Sequence, residues 1–127
     1  MTEADALEKI AAFTQAVANS GALWVDIDVL RITPYSATIG CRTTLSHAPD
    51  FEVNFGPVFF ASLPMTWSCE MALPVLKLVT GDEAFRLNTL YQVETGYHWF
   101  MFHSRDLSPQ LPFLVAAESV SWHPTQL

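Results

Sequence analysis

The stretch from Phe85 to His103 reads FRLNTLYQVETGYHWFMFH and is the most aromatic part of the 127-residue chain. Its first half, up to Val93, alternates apolar and polar side chains except at Leu90, which is typical of a strand with one buried face. Thr95 and Gly96 then suit a tight reversal, because glycine accepts the positive φ that such hairpin turns require. The sequence therefore predicts a β-hairpin over this stretch.

The second strand of this hairpin is apolar on both faces. Tyr97, Trp99 and Met101 fall on one face, and Phe100 and Phe102 fall on the other. A strand of this kind lies where both of its faces are covered. We therefore expect it in the middle of the sheet, between an N-terminal helix and a second subunit, a partner or a ligand.

Outside the hairpin, hydrophobic periodicity predicts one helix and several strands. Apolar residues recur at spacings of three and four between Glu3 and Asn19, and Thr2 with Asp5 is a typical helix start. A period of two predicts strands at 23–32, 35–45, 51–63 and 113–122. Gly56 and Pro57 interrupt the third of these, which is therefore one strand with an irregularity or two short strands. Residues 67–72 favour a strand, and residues 75–79 stay open between helix and strand.

These elements predict a single α+β domain over residues 1–127. An N-terminal amphipathic helix packs on a curved, mostly antiparallel sheet of six to seven strands. The first two strands form an antiparallel pair, with Asp26 and Asp28 facing Arg42 on the wet side. The apolar residues of the second strand, Tyr35 and Leu45 among them, point inward.

Composition excludes some functions and favours others. Six basic residues against thirteen acidic ones give a net charge of −7, which repels a phosphate backbone and excludes nucleic acid as a partner. The acidity favours a basic protein partner, or serves solubility alone. Hydrophobic residues make up 50% and charged residues only 15%, so we expect surplus apolar surface at an interface or a cavity.

The chain is expected to be cytoplasmic and not membrane-bound. It has no apolar run of the ~18–20 residues that a membrane helix needs, and acidic residues occupy the place of a basic signal-peptide start. Cys41 and Cys69 do not form a CxxC pair, which predicts two reduced, buried thiols.

Three polar residues are weak catalytic candidates. His103 lies three residues before Asp106, a spacing at which a carboxylate can orient an imidazole for general-base catalysis. A surface salt-bridge cluster with Arg105 explains the same residues. Glu118 is the sole charge of the last strand and alternates onto the same apolar face as Leu114, Ala116 and Val120, where an acid must be paired, protonated or at an edge. A structural partner such as Arg86 is preferred to catalysis.

The sequence predicts no metal site and no cofactor. His98 and His103 are five residues apart in one strand, so they lie on opposite faces and are poor joint ligands. His47, Asp50 and Glu52 have a loose spacing that a polar surface loop explains better than a metal does. Phosphate-loop, serine-elbow and zincin motifs are missing from the sequence.

Two functions remain. The first is a non-enzymatic protein-interaction module, adaptor, immunity or chaperone-like, that binds a partner or a second copy as a homodimer through an aromatic sheet face. The residues expected at that face are Tyr97, His98, Trp99, Phe100, Phe102 and Trp122. The alternative is a small-molecule-binding, hydrolytic or isomerase domain with a pocket between helix and sheet. An acidic mimic of nucleic acid is a weaker third hypothesis, because the acids are dispersed.

Overall fold

A computed structural model of the chain describes residues 1–45, 48–104 and 113–125. Within these ranges the chain forms helices and strands in an α+β arrangement, as predicted. In chain order they are α1 (Glu3–Ala18), β1 (Trp24–Ile32), β2 (Ala37–Arg42), β3 (Phe51–Ser62), β4 (Thr66–Glu70), β5 (Leu76–Val79), α2 (Gly81–Tyr91), β6 (His98–Phe102) and β7 (Phe113–Pro124).

The seven described strands form one sheet in the order β4-β1-β2-β3-β7-β6-β5, with every neighbouring pair antiparallel. In a flat sheet the outer strands β4 and β5 would lie about 29 Å apart, which is six spacings of ~4.8 Å. The chain from Glu70 to Leu76 joins these two strands and reaches at most about 21 Å. The sheet must therefore curl into a half-barrel, which confirms the predicted curvature.

Helix α1 fills the concave side of the curled sheet. Its buried residues Ala6, Ile10, Phe13 and Val17 recur at spacings of four, three and four, and they share one core cluster with inward residues of all seven strands. Each large side chain buried there stabilises the fold by about 1.5–3 kcal/mol relative to exposure. The predicted amphipathic helix is confirmed to within one residue at its end.

The predicted strand over the first half of 85–103 is wrong, because these residues form helix α2. Ala84, Leu87 and Asn88 recur at helical spacing and turn toward the sheet, whereas Phe85 is exposed. The helix ends at Tyr91, and the C-cap residue Gln92 has a left-handed φ of 55°. Apolar and polar residues alternate in the sequence of this largely exposed helix, and the alternation resembles that of a strand with one buried face.

The predicted hairpin is also wrong, although its second strand is correct. Gly96 has a φ of 103° and lies in a turn that connects α2 to β6, so this turn does not join two strands. The neighbours of β6 are β5 and β7. Phe100 and Phe102 face the α1 side, and Trp99 belongs to a second cluster beneath α2. The second cover of β6, predicted to be another subunit, a partner or a ligand, is therefore the chain's own α2.

The remaining strand predictions agree with the fold except at their ends. The predicted pair is β1 with β2, and the Arg42 Nε lies 2.9 Å from the Asp28 Oδ2. Tyr35 and Leu45 are exposed outside β2, because the strand is shorter than its alternating pattern. The irregularity predicted in β3 is a register shift between Val58 and Phe60, and the ambiguous stretch 75–79 contains β5.

Candidate functional site

The aromatic residues predicted to contact a partner divide between the core and the surface. Trp99, Phe100 and Phe102 are buried within the chain itself, so in this conformation they support the fold from inside. Tyr97 and His98 are half-buried and line, with Trp99, one shallow hollow of about 160 Å³ beside α2. Partner contact by these residues stays a prediction.

Trp122 is brought to a different place from the other predicted aromatics. It lies between α1 and the sheet, with its ring centroid 5.8 Å from that of Phe13 and 6.3 Å from that of Phe51. Its outer side forms part of a separate depression with Asp5 and Glu8. The predicted aromatic set is therefore not one continuous surface.

His98 at the start of β6 and His103 directly after its end both bind to backbone groups. His98 Nε2 donates to the carbonyl oxygen of Met1 at 2.8 Å, and His103 Nδ1 donates to the carbonyl oxygen of Pro74. Five residues of extended chain separate the two histidines by about 16 Å, which prevents joint metal binding. In the described ranges, no three His, Cys, Asp or Glu side chains converge as metal ligands.

Two of the sequence-based site predictions depend on residues outside the described ranges. His103 is described but Asp106 is not, so their predicted pairing stays a prediction. His47 likewise lies outside these ranges, although Asp50 and Glu52 lie inside them. Asp50 Oδ2 accepts a hydrogen bond from the backbone N–H of Thr43 at 2.7 Å, which is a structural role.

Glu118 is exposed at an irregular point of β7, and no ion pair joins it to Arg86. The core-facing residues of β7 are Val115 and Ala117, two apart, and then Val120, three further on. Glu118 and Ser119 lie in this wider interval. Ser119 Oγ donates to the carbonyl oxygen of Gly56 on β3. The expected apolar surroundings of Glu118, which would demand a partner, are therefore wrong.

The two thiols are poor nucleophiles. Burial raises the pKa of Cys41 to about 12, and burial, with a smaller contribution from Glu70, raises the pKa of Cys69 to about 11. Both cysteines are free, and β1 separates their strands, which puts them about 10 Å apart and beyond the reach of a disulfide. They serve as small buried side chains of the concave core.

The convex face of the first strands carries a row of polar pairs. Ser68 donates to Asp26 at 2.7 Å, and Thr38 donates to Asn54 at 2.9 Å. Arg42 continues the row with its ion pair to Asp28. Asp26 and Asp28 thus each have a structural hydrogen-bond partner, as in a solvated sheet face.

The β4 edge of the sheet is the most unusual surface in the described part of the chain. Within this part, β4 pairs with β1 and with no other strand. Two hydrogen bonds bracket this pairing: Val29 N–H donates to the Met65 carbonyl at 2.9 Å, and Met71 N–H donates to the Leu23 carbonyl at 3.1 Å. These bonds establish which residues of β4 face β1.

Alternate residues of an antiparallel strand direct their backbone groups to the same neighbour. Trp67 and Cys69 are separated from Met65 and Met71 by even numbers of residues. Since the backbone groups of Met65 and Met71 bond to β1, those of Trp67 and Cys69 face β1 as well. The backbone N–H and C=O groups of Thr66 and Ser68 consequently face away from the sheet. An open edge of this kind is a ready template for another strand.

Exposed apolar side chains lie at both ends of this edge. Leu23 and Met65 are 80% and 69% exposed, and Trp24 and Leu73 are also exposed. We call β4 together with Leu23, Trp24, Met65 and Leu73 the β4 margin. Exposed apolar residues beside an open strand edge are typical of a contact surface.

Trp67 adds a buried polar group that lacks a partner. Its side chain is only 8% exposed, and its Nε1 has no acceptor. The ring lies against Phe102 and Phe113, with centroids 5.4 Å and 5.0 Å away. Buried donors are nearly always paired in native proteins, so this N–H is an exception within the described part of the chain.

The opposite edge of the sheet differs from the β4 edge. β5 carries the exposed Lys77 in its centre and packs against α1. Lysine in an edge strand discourages pairing with another chain. β4 contains neither lysine nor proline, and its single charge, Glu70, is at its end.

The crevice between α1 and the sheet is filled by side chains. Its walls are formed by Lys9, Ile10, Phe13, Val53, Leu76, Val120 and Trp122, and no water-sized molecule fits between them. At this position the protein offers no room for the small-molecule pocket of the alternative hypothesis.

Comparisons of the chain with protein-family models, with curated proteins and with solved structures find no match. Within the described ranges, neither helix has both the length and the apolar character needed to cross a membrane.

Proposed function

We propose that the protein is a non-enzymatic interaction module, of the adaptor, immunity or chaperone-like kind, that binds a protein partner through the β4 margin. The observation that supports this proposal is the open edge of β4, with exposed apolar residues at both of its ends. This surface replaces the aromatic face of β6, which α1 and α2 cover.

The chemistry of the described side chains supports binding over catalysis. The thiols of Cys41 and Cys69 have raised pKa values, and Asp26 and Asp28 bind neighbouring side chains across the sheet. The crevice lined by Ile10 and Phe13 is closed. We further propose a cytoplasmic location, which the two free thiols support.

The test is co-purification from the organism that encodes the protein. The tagged wild-type chain should elute with a partner in fixed stoichiometry, and the double variant Trp24→Ala/Met65→Ala should lose that partner. The matched control is Phe85→Ala/Leu90→Ala, which removes two exposed apolar side chains from α2 and should retain the partner. A wild-type chain that elutes alone, or equal loss in both variants, would contradict the proposal.

A further inference from the structure

We infer that the convex face of β1, β2 and β3 holds a second binding site, separate from the β4 margin, for a free α-amino acid with an apolar side chain. The site is a shallow hollow of about 360 Å³ lined by Leu30, Arg31, Thr38, Glu52 and Asn54. Its volume lies within the range of small-molecule sites, and its walls carry charges of both signs. The inference goes beyond the proposed function and does not depend on it.

A bulge in β1 brings two side chains to the same face of the sheet. The register with β2 shifts between Val29 and Arg31, so Leu30 is an extra residue in β1. Leu30 lies over Gly40, because a Cβ on this glycine would meet the Leu30 side chain at 3.1 Å. Leu30 and Arg31 therefore both line the convex hollow. Bulges that redirect a side chain in this way are over-represented next to active sites.

The floor of the hollow is a buried hydroxyl that orients an amide. Thr38 is only 8% exposed, and its Oγ1 donates a hydrogen bond to Asn54 Oδ1 at 2.9 Å. This bond turns the amide oxygen toward Thr38. The amide nitrogen of Asn54 therefore remains as a donor at the hollow, where a ligand can supply the acceptor.

The two walls of the hollow carry opposite charges. Arg31 on β1 makes no ion pair within the described ranges, whereas Arg42 binds Asp28. On the other wall, Glu52 of β3 pairs with His123 of β7 and keeps a side chain that is 27% exposed. Strand β2 lies between the walls, so the Cα atoms of Arg31 and Glu52 are at least about 10 Å apart. This separation leaves room for the charged groups of a small ligand.

These side chains select a zwitterion over an ion of either sign. The guanidinium of Arg31 and the amide N–H of Asn54 both suit a carboxylate, to which arginine offers two parallel donors. Glu52 suits an ammonium group. The net charge of −7 repels a dianion such as phosphate but not a neutral zwitterion. The partly exposed side chain of Leu30 adds an apolar wall. An α-amino acid carries the three matching groups on one carbon atom.

The probe is L-leucine, titrated into the isotope-labelled full chain and followed by NMR. The side-chain NH₂ signals of Asn54 report on the hollow directly. We expect a dissociation constant of about 1 mM, as suits an open site. Isocaproate, which is leucine without the ammonium group, and isoamylamine, which is leucine without the carboxylate, should each bind about tenfold more weakly or worse. Absence of an Asn54 response up to about 20 mM leucine, or equal affinity for the three compounds, would overturn the inference.

Two pairs of variants isolate the charged groups. Arg31→Gln should weaken leucine binding about tenfold or more, whereas Arg86→Gln, which removes an exposed arginine from α2, should leave it unchanged. Glu52→Gln should weaken the binding of leucine but not that of isocaproate. His123→Ala breaks the same ion pair and keeps the Glu52 carboxylate, so it should retain leucine binding. Wild-type affinity in Arg31→Gln or Glu52→Gln, or equal losses in Glu52→Gln and His123→Ala, would overturn these assignments.

Thr38 is the positioning residue of the site. Thr38→Val removes the hydroxyl at similar volume and should weaken leucine binding severalfold, and Thr38→Ser should restore it. Equal affinities in these two variants would overturn the positioning role. L-alanine should bind the wild type more weakly than leucine does, and Leu30→Ala should remove this difference. A difference that persists in Leu30→Ala would overturn the apolar contact.

Discussion

Trp99 Nε1 donates a hydrogen bond to the side-chain oxygen of Asn88 across 2.7 Å, which joins β6 to α2. Trp67, also buried, makes no such bond. The two tryptophans therefore form a natural pair for measuring the contribution of one indole hydrogen bond.

Trp99→Phe should destabilise the protein by about 1–3 kcal/mol more than Trp67→Phe does. Both substitutions remove similar buried ring area, but only the first breaks a hydrogen bond and leaves Asn88 without its donor. Urea unfolding of the two variants gives the difference. Equal losses would show that Trp67 Nε1 is satisfied in solution.

Gly56→Ala should be more harmful than Gly40→Ala. A Cβ on Gly56 would lie 2.6 Å from the backbone oxygen of Tyr35, whereas one on Gly40 would meet the side chains of Leu30 and Pro49 at 3.1 Å. We expect losses of about 3 and about 1 kcal/mol, respectively, in thermal or urea unfolding. Adding Leu30→Ala should recover stability in the Gly40 variant alone, and recovery in both would contradict this account.

The buried thiols should make the protein less stable in alkali. Their pKa values in the fold, about 12 for Cys41 and about 11 for Cys69, lie above the ordinary value of 9.0. The unfolded state therefore releases these protons first, and stability that is complete below pH 9 is lost as pH rises toward the folded values. Between pH 8 and pH 10 each thiol should account for about 1.4 kcal/mol.

Urea unfolding at the two pH values measures this loss. Cys41→Ala should reduce the pH dependence by the share of one thiol, since the two proteins differ in that thiol alone. A variant with the full wild-type dependence would contradict the assignment to Cys41. Thiol reagents at pH 8 should modify the cysteines only after unfolding.

The start of α1 should be sensitive to acid. Thr2 Oγ1 accepts from the Asp5 N–H at 3.1 Å, and an Asp5 oxygen accepts from the Thr2 N–H at 3.1 Å. These bonds to Thr2 lower the pKa of Asp5 below 3.8. Their stabilisation is present above the unfolded pKa and is lost as pH falls through the folded one. Asp5→Asn should flatten this part of the stability profile below pH 4, with Glu8→Gln as the exposed control on the same helix.

Local patterns were sufficient to predict much of the fold. The capping residues and apolar stripe of α1, and the alternation of β1 and β2, depend on residues close in sequence. Helix α2 was missed because Leu87 is its only fully buried residue, which leaves a weak helical period. Leu90, which interrupted the apparent alternation, was the available signal for a helix.

The candidate site could not be predicted in the same way. The open edge of β4 exists because this strand pairs with β1 across the sheet from its sequence neighbour β5, and no local pattern encodes that order. The orphan N–H of Trp67 depends on distant Phe102 and Phe113. The sequence TWSCE did carry one readable hint, because it lacks the lysine that β5 has.

The short connection between Glu70 and Leu76 limits the distance between β4 and β5. Because it joins the two outer strands of the sheet, the number of residues in this one loop sets an upper limit on their separation and so requires all seven described strands to curve. The space available to α1 follows from that curvature. The length of this connection thus limits the width of the half-barrel.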